Sequence, residues 1–174
     1  MAAASEPMEI TGAAPYQLSA TLLGHEQDVR TVGGLADGTI VTGSRDATIR
    51  VWQRPAAGGN YTCTSTLNAH THYVQSICTT STGGLASCSN DKHVIEWDLA
   101  AAVPTRILEG HTDVVSGVFE AGGVLYSASW DKTARVWKDG TCVRVLKGHE
   151  AALWDILPLE DADDQVLTAS ADRT

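Results

Sequence analysis

Three stretches of the chain share one layout: SRDATIRVW (44–52), SNDKHVIEW (89–97) and SASWDKTARVW (127–137). Each places a serine two residues before an aspartate and a tryptophan six after it. A histidine precedes every copy, so that His25, His70, His111 and His149 go with Asp46, Asp91, Asp131 and Asp172. The period is roughly forty residues, which demands stacked supersecondary units rather than one irregular globule. The fourth copy reads TASADRT and stops four residues short of where its tryptophan would fall.

Within a unit the chain alternates short β-branched runs with Gly, Asp and Asn, as in DVRTVGGLADGTIVTGSRDATIRVW. Runs this short, with turns this close, leave no room for a helix. In the first unit the pattern predicts strands over about Val29 to Val32, Thr39 to Thr42, Thr48 to Trp52 and Thr62 to Leu67. The ADG and SRD tips suit tight hairpins. Four antiparallel strands per unit make a small sheet that cannot bury both faces alone, and stacking such sheets around an axis gives a β-propeller. The expected fold is all-β: an incomplete propeller, an open ring of three blades plus most of a fourth. It should occupy residues 16–174, with units of about 17–58, 59–101, 102–139 and 140–174, after a disordered segment over 1–15. An open ring exposes edge strands at both ends, so this piece should dissolve poorly alone.

Composition narrows the function. The 174 residues are 43% hydrophobic and 19% charged, which is globular, and 21 acidic against 12 basic residues leave a net charge of -9. An acidic surface repels phosphate backbones and no basic patch offsets it, so nucleic acid is not an expected partner. The start lacks a signal-peptide pattern and no run approaches a membrane span, so no membrane role is expected either. Cys63, Cys78, Cys88 and Cys142 form no CxxC pair and do not recur with the repeat, which reads as buried thiols in a reducing cytoplasmic or nuclear compartment.

The combination of GH or AH, SxD and W resembles the WD-repeat (WD40) signature over Gln17 to Thr174. The resemblance implies that each unit holds a hydrogen-bonded tetrad, in which the aspartate accepts from the imidazole, the imidazole reaches a hydroxyl and the hydroxyl meets the indole N–H. These sets are His25, Thr42, Asp46 and Trp52; His70, Ser87, Asp91 and Trp97; His111, Ser127, Asp131 and Trp137; and His149, Thr168 and Asp172. In the second unit Glu96 takes the inward position held by Val51 and Val136. Burying that carboxylate requires either a bulge or a basic partner.

A His, a Ser and an Asp together also raise acyl transfer. A catalytic triad occurs once, however, whereas this set recurs four times and no GxSxG elbow accompanies it. No catalytic residue is therefore expected. His70 and His72 alternate onto one side of AHTHY, but no second cluster completes a metal site, so neither metal nor cofactor is expected.

Recognition should fall to exposed loops. Carried over by position from the WD-repeat family, the residues ringing the narrow face are Asp28, Arg30 and Arg45; Tyr73, Gln75 and Asn90; Val114, Ser116 and Trp130; and Ala152, Trp154 and Ala171. Of these, Asp28, Arg30, Arg45, Tyr73, Trp130 and Trp154 are the candidate partner-binding residues, since aromatic anchors beside arginine carry binding energy. Two other fates stand beside that one: the two tryptophans packed between blades, and Asp28 with Arg30 as a solvated ion pair.

YQLSATLLGHEQDVR, TGSRDATIRVW, SASWDKTARVWKDG and ALWDI together resemble the amino-terminal propeller of the phospholipase-activating protein family, called PLAP in animals and the Doa/Ufd adaptor in yeast. The resemblance implies a non-catalytic adaptor that binds ubiquitin and ubiquitinated proteins in ubiquitin-dependent degradation and ubiquitin homeostasis. It also implies an AAA segregase partner, recruited only through domains absent from this chain. The alternative is a general WD-repeat scaffold, reading phosphorylated peptides through Arg30 and Arg45.

Overall fold

A computed structural model describes residues 18–159 and 165–174. The expectation of disorder over 1–15 and the acidic run at 160–164 lie outside the described residues. Every regular element among the described residues is a strand. The first blade is β1 (Val29–Gly34), β2 (Ile40–Ser44), β3 (Ile49–Gln53) and β4 (Thr62–Leu67). The second is β5 (Val74–Thr79), β6 (Leu85–Ser89), β7 (Val94–Asp98) and β8 (Val103–Leu108). The third is β9 (Val115–Ala121), β10 (Val124–Ser129), β11 (Ala134–Lys138) and β12 (Thr141–Leu146). Finally β13 (Leu153–Pro158) and β14 (Val166–Ser170) pair as a two-stranded sheet.

Each four-stranded sheet is an antiparallel meander in chain order. The first strands of successive blades, β1, β5, β9 and β13, stand side by side around a common axis. None of the sheets closes on itself, and the result is the open propeller that the repeat implies. Residues 18–22 form no strand.

The core lies between blades rather than within one. Val41, Ile49, Val51 and Leu67 of the first blade pack on Val74, Ile77, Leu85, Ile95 and Trp97 of the second. Ala86, Cys88, Val94 and Leu108 of the second then meet Val115, Val118, Leu125 and Trp137 of the third. Leu85 and Ala86 are neighbours in β6, yet they face different blades. A strand covered on both sides keeps both sets of side chains dry, so β6 is buried throughout instead of alternating with solvent.

One sequence reading needs correction, and one alternative left open by the sequence is decided. Cys78 and Cys88 are sheltered, and burial pushes the Cys78 thiol up to about 12 and raises Cys88 well above the ordinary thiol range. Cys63, by contrast, is exposed and Cys142 half-exposed, because both sit on outermost strands beside the edge of their blades. The second concerns Glu96. It is directly opposite Arg106 on β8, whose Nη1 donates to Glu96 Oε2 at 3.2 Å, and so the carboxylate has its basic partner. A bulge does fall there, but the same irregularity falls at Val51/Trp52 and Val136/Trp137, so the bulge is a property of all three four-stranded blades and not a response to Glu96.

Close packing of blade on blade makes small residues decisive. A Cβ at Gly43 would come within 2.7 Å of both Thr31 Cγ2 and Val74 Cγ1, whereas one at Gly34 would meet nothing within 4 Å. Gly43→Ala is therefore expected to destabilise by about 1–3 kcal/mol through overpacking, and Gly34→Ala by under about 0.5 kcal/mol. Urea unfolding of the two variants checks this, with equal midpoints contradicting the packing.

Candidate functional site

Two sets of positions recur from blade to blade, one of them a largely buried set of hydrogen-bonded side chains. The buried set begins with the aspartate of the β2–β3 turn. Asp46 Oδ2 accepts from His25 Nδ1 at 2.8 Å, His25 Nε2 meets Thr42 Oγ1 at 2.8 Å, and Trp52 Nε1 donates to that oxygen at 2.8 Å. The second blade repeats this with 2.7 Å for each of the three links through His70, Ser87, Asp91 and Trp97. The third gives 2.7, 2.8 and 2.8 Å through His111, Ser127, Asp131 and Trp137. In the fourth, His149 joins Asp172 at 2.7 Å and Thr168 at 2.8 Å.

The proton order follows from chemistry. An ionised carboxylate only accepts, so Nδ1 carries the hydrogen and Nε2 receives the hydroxyl proton, which leaves the hydroxyl oxygen free to accept from the indole. Asp91 stays ionised. Burial works against its charge, but bonds from His70, Thr71 N and His93 N outweigh that and hold its pKa at about 2. Asp46 is pulled lower still: burial is overcome by the Thr48 hydroxyl, which donates to Oδ1 at 2.6 Å, and by His25. For Asp172 the Thr174 hydroxyl is the leading cause. Burial drives His111 the other way, toward the neutral imidazole.

These contacts decide the acyl-transfer question for the tetrad hydroxyls. Ser87 and Ser127 are 0% exposed, and each gives its proton to an imidazole while accepting from an indole N–H. Such an oxygen has neither access to a substrate nor freedom to attack one. Among the described residues no group of three His, Cys, Asp or Glu side chains gathers as metal ligands would. His72 Nδ1 accepts from Tyr73 N.

The second set is built by the backbone. In each blade the first two strands slip register once, and the residue skipped by the ladder is Arg30, Gln75, Ser116 or Trp154. A bulge leaves one residue unpaired and re-aims its side chain. A second tie fixes the neighbouring positions: Arg45 N donates to Asp28 O, Asn90 N to Tyr73 O, Trp130 N to Val114 O and Ala171 N to Ala152 O, at 2.9 to 3.0 Å. The residue after each turn aspartate, Ala47, Lys92, Lys132 or Arg173, takes a positive φ between 67° and 76°. That strain is held by the aspartate, whose Oδ1 accepts from the backbone N–H two residues on.

The structure brings five of the six candidate residues into two groups and sets Arg30 apart. Arg45 Nη1 donates to Asp28 Oδ2 at 3.0 Å, and its guanidinium lies 5.5 Å from the centre of the Tyr73 ring. Arg30 Nη2 donates instead to Gln75 Oε1 at 3.1 Å. Asp28 is therefore paired with Arg45, not with Arg30 as the sequence alternative had it, because the bulge turns Arg30 toward the second blade. The two arginines do not converge on one site. The pair is open to water, with Asp28 72% and Arg45 40% exposed, and adds little to stability. The second group is Trp130 and Trp154, 5.5 Å apart and edge to face. Both rings are partly exposed, so packing between blades does not consume them. The bulge and the Gln75–Arg30 bond were not legible in the sequence; the register slip leaves no residue-type signature, although a polar side chain five after every histidine but the fourth hints at it.

Comparison with known proteins places this geometry. The family described as WD domain, G-beta repeat matches residues 16–53, 61–98, 102–138 and 140–174. Protein DOA1 of Saccharomyces cerevisiae is 35% identical over 144 residues, covering 80% of this chain and 20% of that protein. Phospholipase A-2-activating protein of Xenopus laevis is 32% identical over 155 residues, covering 81% and 19%. Ubiquitin homeostasis protein lub1 of Schizosaccharomyces pombe is 35% identical over 134 residues, covering 73% and 18%. The chain thus spans about a fifth of the length of these relatives. The crystal structure of the WD40 beta propeller domain of Doa1 superposes with a TM-score of 0.83 at 35% identity, covering 92% of this chain and 54% of that one.

The tetrads make stability depend on pH in one direction. The unfolded His111 takes up a proton near pH 6.5 while the folded one resists it, so stability falls as pH drops through that value. Asp91, near 2 when folded, contributes stability above about pH 4 that is lost as pH falls toward 2. Thermal melts from pH 8 to pH 3 should show a midpoint that declines below about pH 6.5 and more steeply below about pH 4. A midpoint that rises on acidification from pH 7 to pH 5 would contradict the assignment.

Proposed function

The chain belongs to the WD-repeat family, and from that membership we propose that it is a non-catalytic adaptor whose narrow face binds ubiquitin and ubiquitinated proteins. The observation that carries the reading is the kinship itself. Among the relatives above is a protein named for ubiquitin homeostasis, and the likeness covers the repeats that build the rim. Fold alone would not give it, since propellers serve many functions.

The geometry supports a binding role over chemistry. The tetrad hydroxyls are spent on internal bonds, and the rim side chains are held at fixed positions by bulges and backbone bonds. Ubiquitin offers an apolar patch bordered by basic side chains. An acidic propeller whose face carries Asp28 beside Arg45 and Tyr73 on one arc, and two indoles on another, complements both features. Engagement of an AAA segregase falls to domains outside these repeats, and the same reading has the protein working in the cytoplasm and nucleus. A phosphopeptide clamp fits less well, because Arg45 is already neutralised by Asp28 and Arg30 turns elsewhere.

Titration of the chain into isotope-labelled ubiquitin tests the proposal. Saturable shifts are expected, with Asp28→Ala and Arg30→Ala each weakening affinity by about fivefold, the size of a loss near 1 kcal/mol. No saturable shift at all would overturn ubiquitin as the partner. Shifts that both variants leave unchanged would remove these two residues from the contact.

A further inference from the structure

Each blade boundary on the narrow face sets a β-turn side chain of one blade against the first strand of the next. Between the first and second blades that slot is filled from within, by the Arg45 guanidinium over the Tyr73 ring. Between the third and fourth, the matching residues are Trp130 and Ala152, so the internal cation is replaced by an indole and the opposing ring by a methyl group. Trp154, turned outward by the bulge, meets Trp130 at an interplanar angle of 80°. Trp130 is 37% and Trp154 51% exposed. Ala171 stands where the other blades carry Arg45, Asn90 and Trp130. What remains is a corner of two perpendicular indoles beside two alanines.

We propose that this corner receives a lysine or arginine side chain presented by a partner protein. Tryptophan is the aromatic ring that attracts a cation best, and the fold uses a contact of the same kind, arginine over tyrosine, two boundaries away. The surrounding charge agrees. Within two residues of the corner positions and Val114 lie five carboxylates, Asp113, Asp131, Glu150, Asp155 and Asp172, against two basic side chains, Lys132 and Arg173. Asp131 and Asp172 are held ionised by their tetrads, so the field at the corner is negative at neutral pH. An aliphatic side chain would fill the same space but would gain nothing from that field. The inference goes beyond the ubiquitin reading and holds for any partner that offers a basic side chain at a protruding position.

The probe is a pair of peptides, acetyl-Gly-Lys-Gly-amide and its norleucine counterpart, which share length and differ in the ammonium. The readout is the indole N–H spectrum of the chain labelled in its five tryptophans. Trp52, Trp97 and Trp137 report the tetrads and hence the fold; Trp130 and Trp154 report the corner. The lysine peptide is expected to move Trp130 and Trp154 saturably and at least about threefold more tightly than norleucine at equal ionic strength. Tetrad signals should stay fixed. Trp154→Leu, which keeps apolar bulk and loses the ring, is expected to abolish the preference with tetrad signals intact. Equal binding of both peptides, or no response to lysine, would overturn the proposal. A failed ubiquitin titration leaves this result untouched, and a failed lysine titration leaves the ubiquitin reading to its own test.

Discussion

One hydroxyl oxygen in each complete blade accepts from an indole while its proton goes to an imidazole, and the imidazole in turn is fixed by a carboxylate. The chain of bonds joins three parts of the backbone that would otherwise drift: the loop before the first strand, the second strand and the third. Buried polar groups are costly when orphaned and stiffening when complete, and here the inventory closes. Thr42, Ser87 and Ser127 each satisfy two partners, and the aspartates saturate both oxygens with backbone and side-chain donors. Hydrophobic contacts between blades supply the bulk of the burial, but they are non-directional. The tetrad sets which residues face the next blade and which face water.

That division has a functional consequence. Residues that look reactive in a sequence are consumed by the scaffold, and the scaffold then holds a rim on which residue identity is free to vary. The same three positions per blade are charged in the first, polar in the second and dominated by tryptophan and alanine toward the fourth. A rigid frame that presents variable side chains at fixed points is suited to recognising another protein's surface. The partners proposed above follow from kinship for the first arc of the rim and from aromatic and electrostatic geometry for the last.

The sequence made the tetrads legible because hydrogen bonding requires particular side chains at particular spacings. Ser87 had to be Ser or Thr, and Asp91 had to sit four residues on. The strands of the first blade were readable for the same kind of reason, with β4 falling on Thr62–Leu67 as read and the others shifted by a residue or two. Pairings across the rim were not readable. Whether Asp28 meets Arg30 or Arg45 depends on a register slip in β1, and a slip is a backbone event that many residue types tolerate. Glu96 shows the same limit: its partner Arg106 is close only once β7 and β8 are aligned.

The account rests on the hydroxyl link between imidazole and indole, and a double-mutant cycle on Ser127→Ala and Trp137→Phe in the third blade measures it directly. Unfolding free energies of the single variants should each fall, Ser127→Ala by about 1–3 kcal/mol. The double variant should then lose less than their sum, by about 1 kcal/mol or more, since the second change removes a bond already broken. Additivity to within about 0.3 kcal/mol would mean that the oxygen and the indole do not act together, and the tetrad would cease to explain why these blades hold.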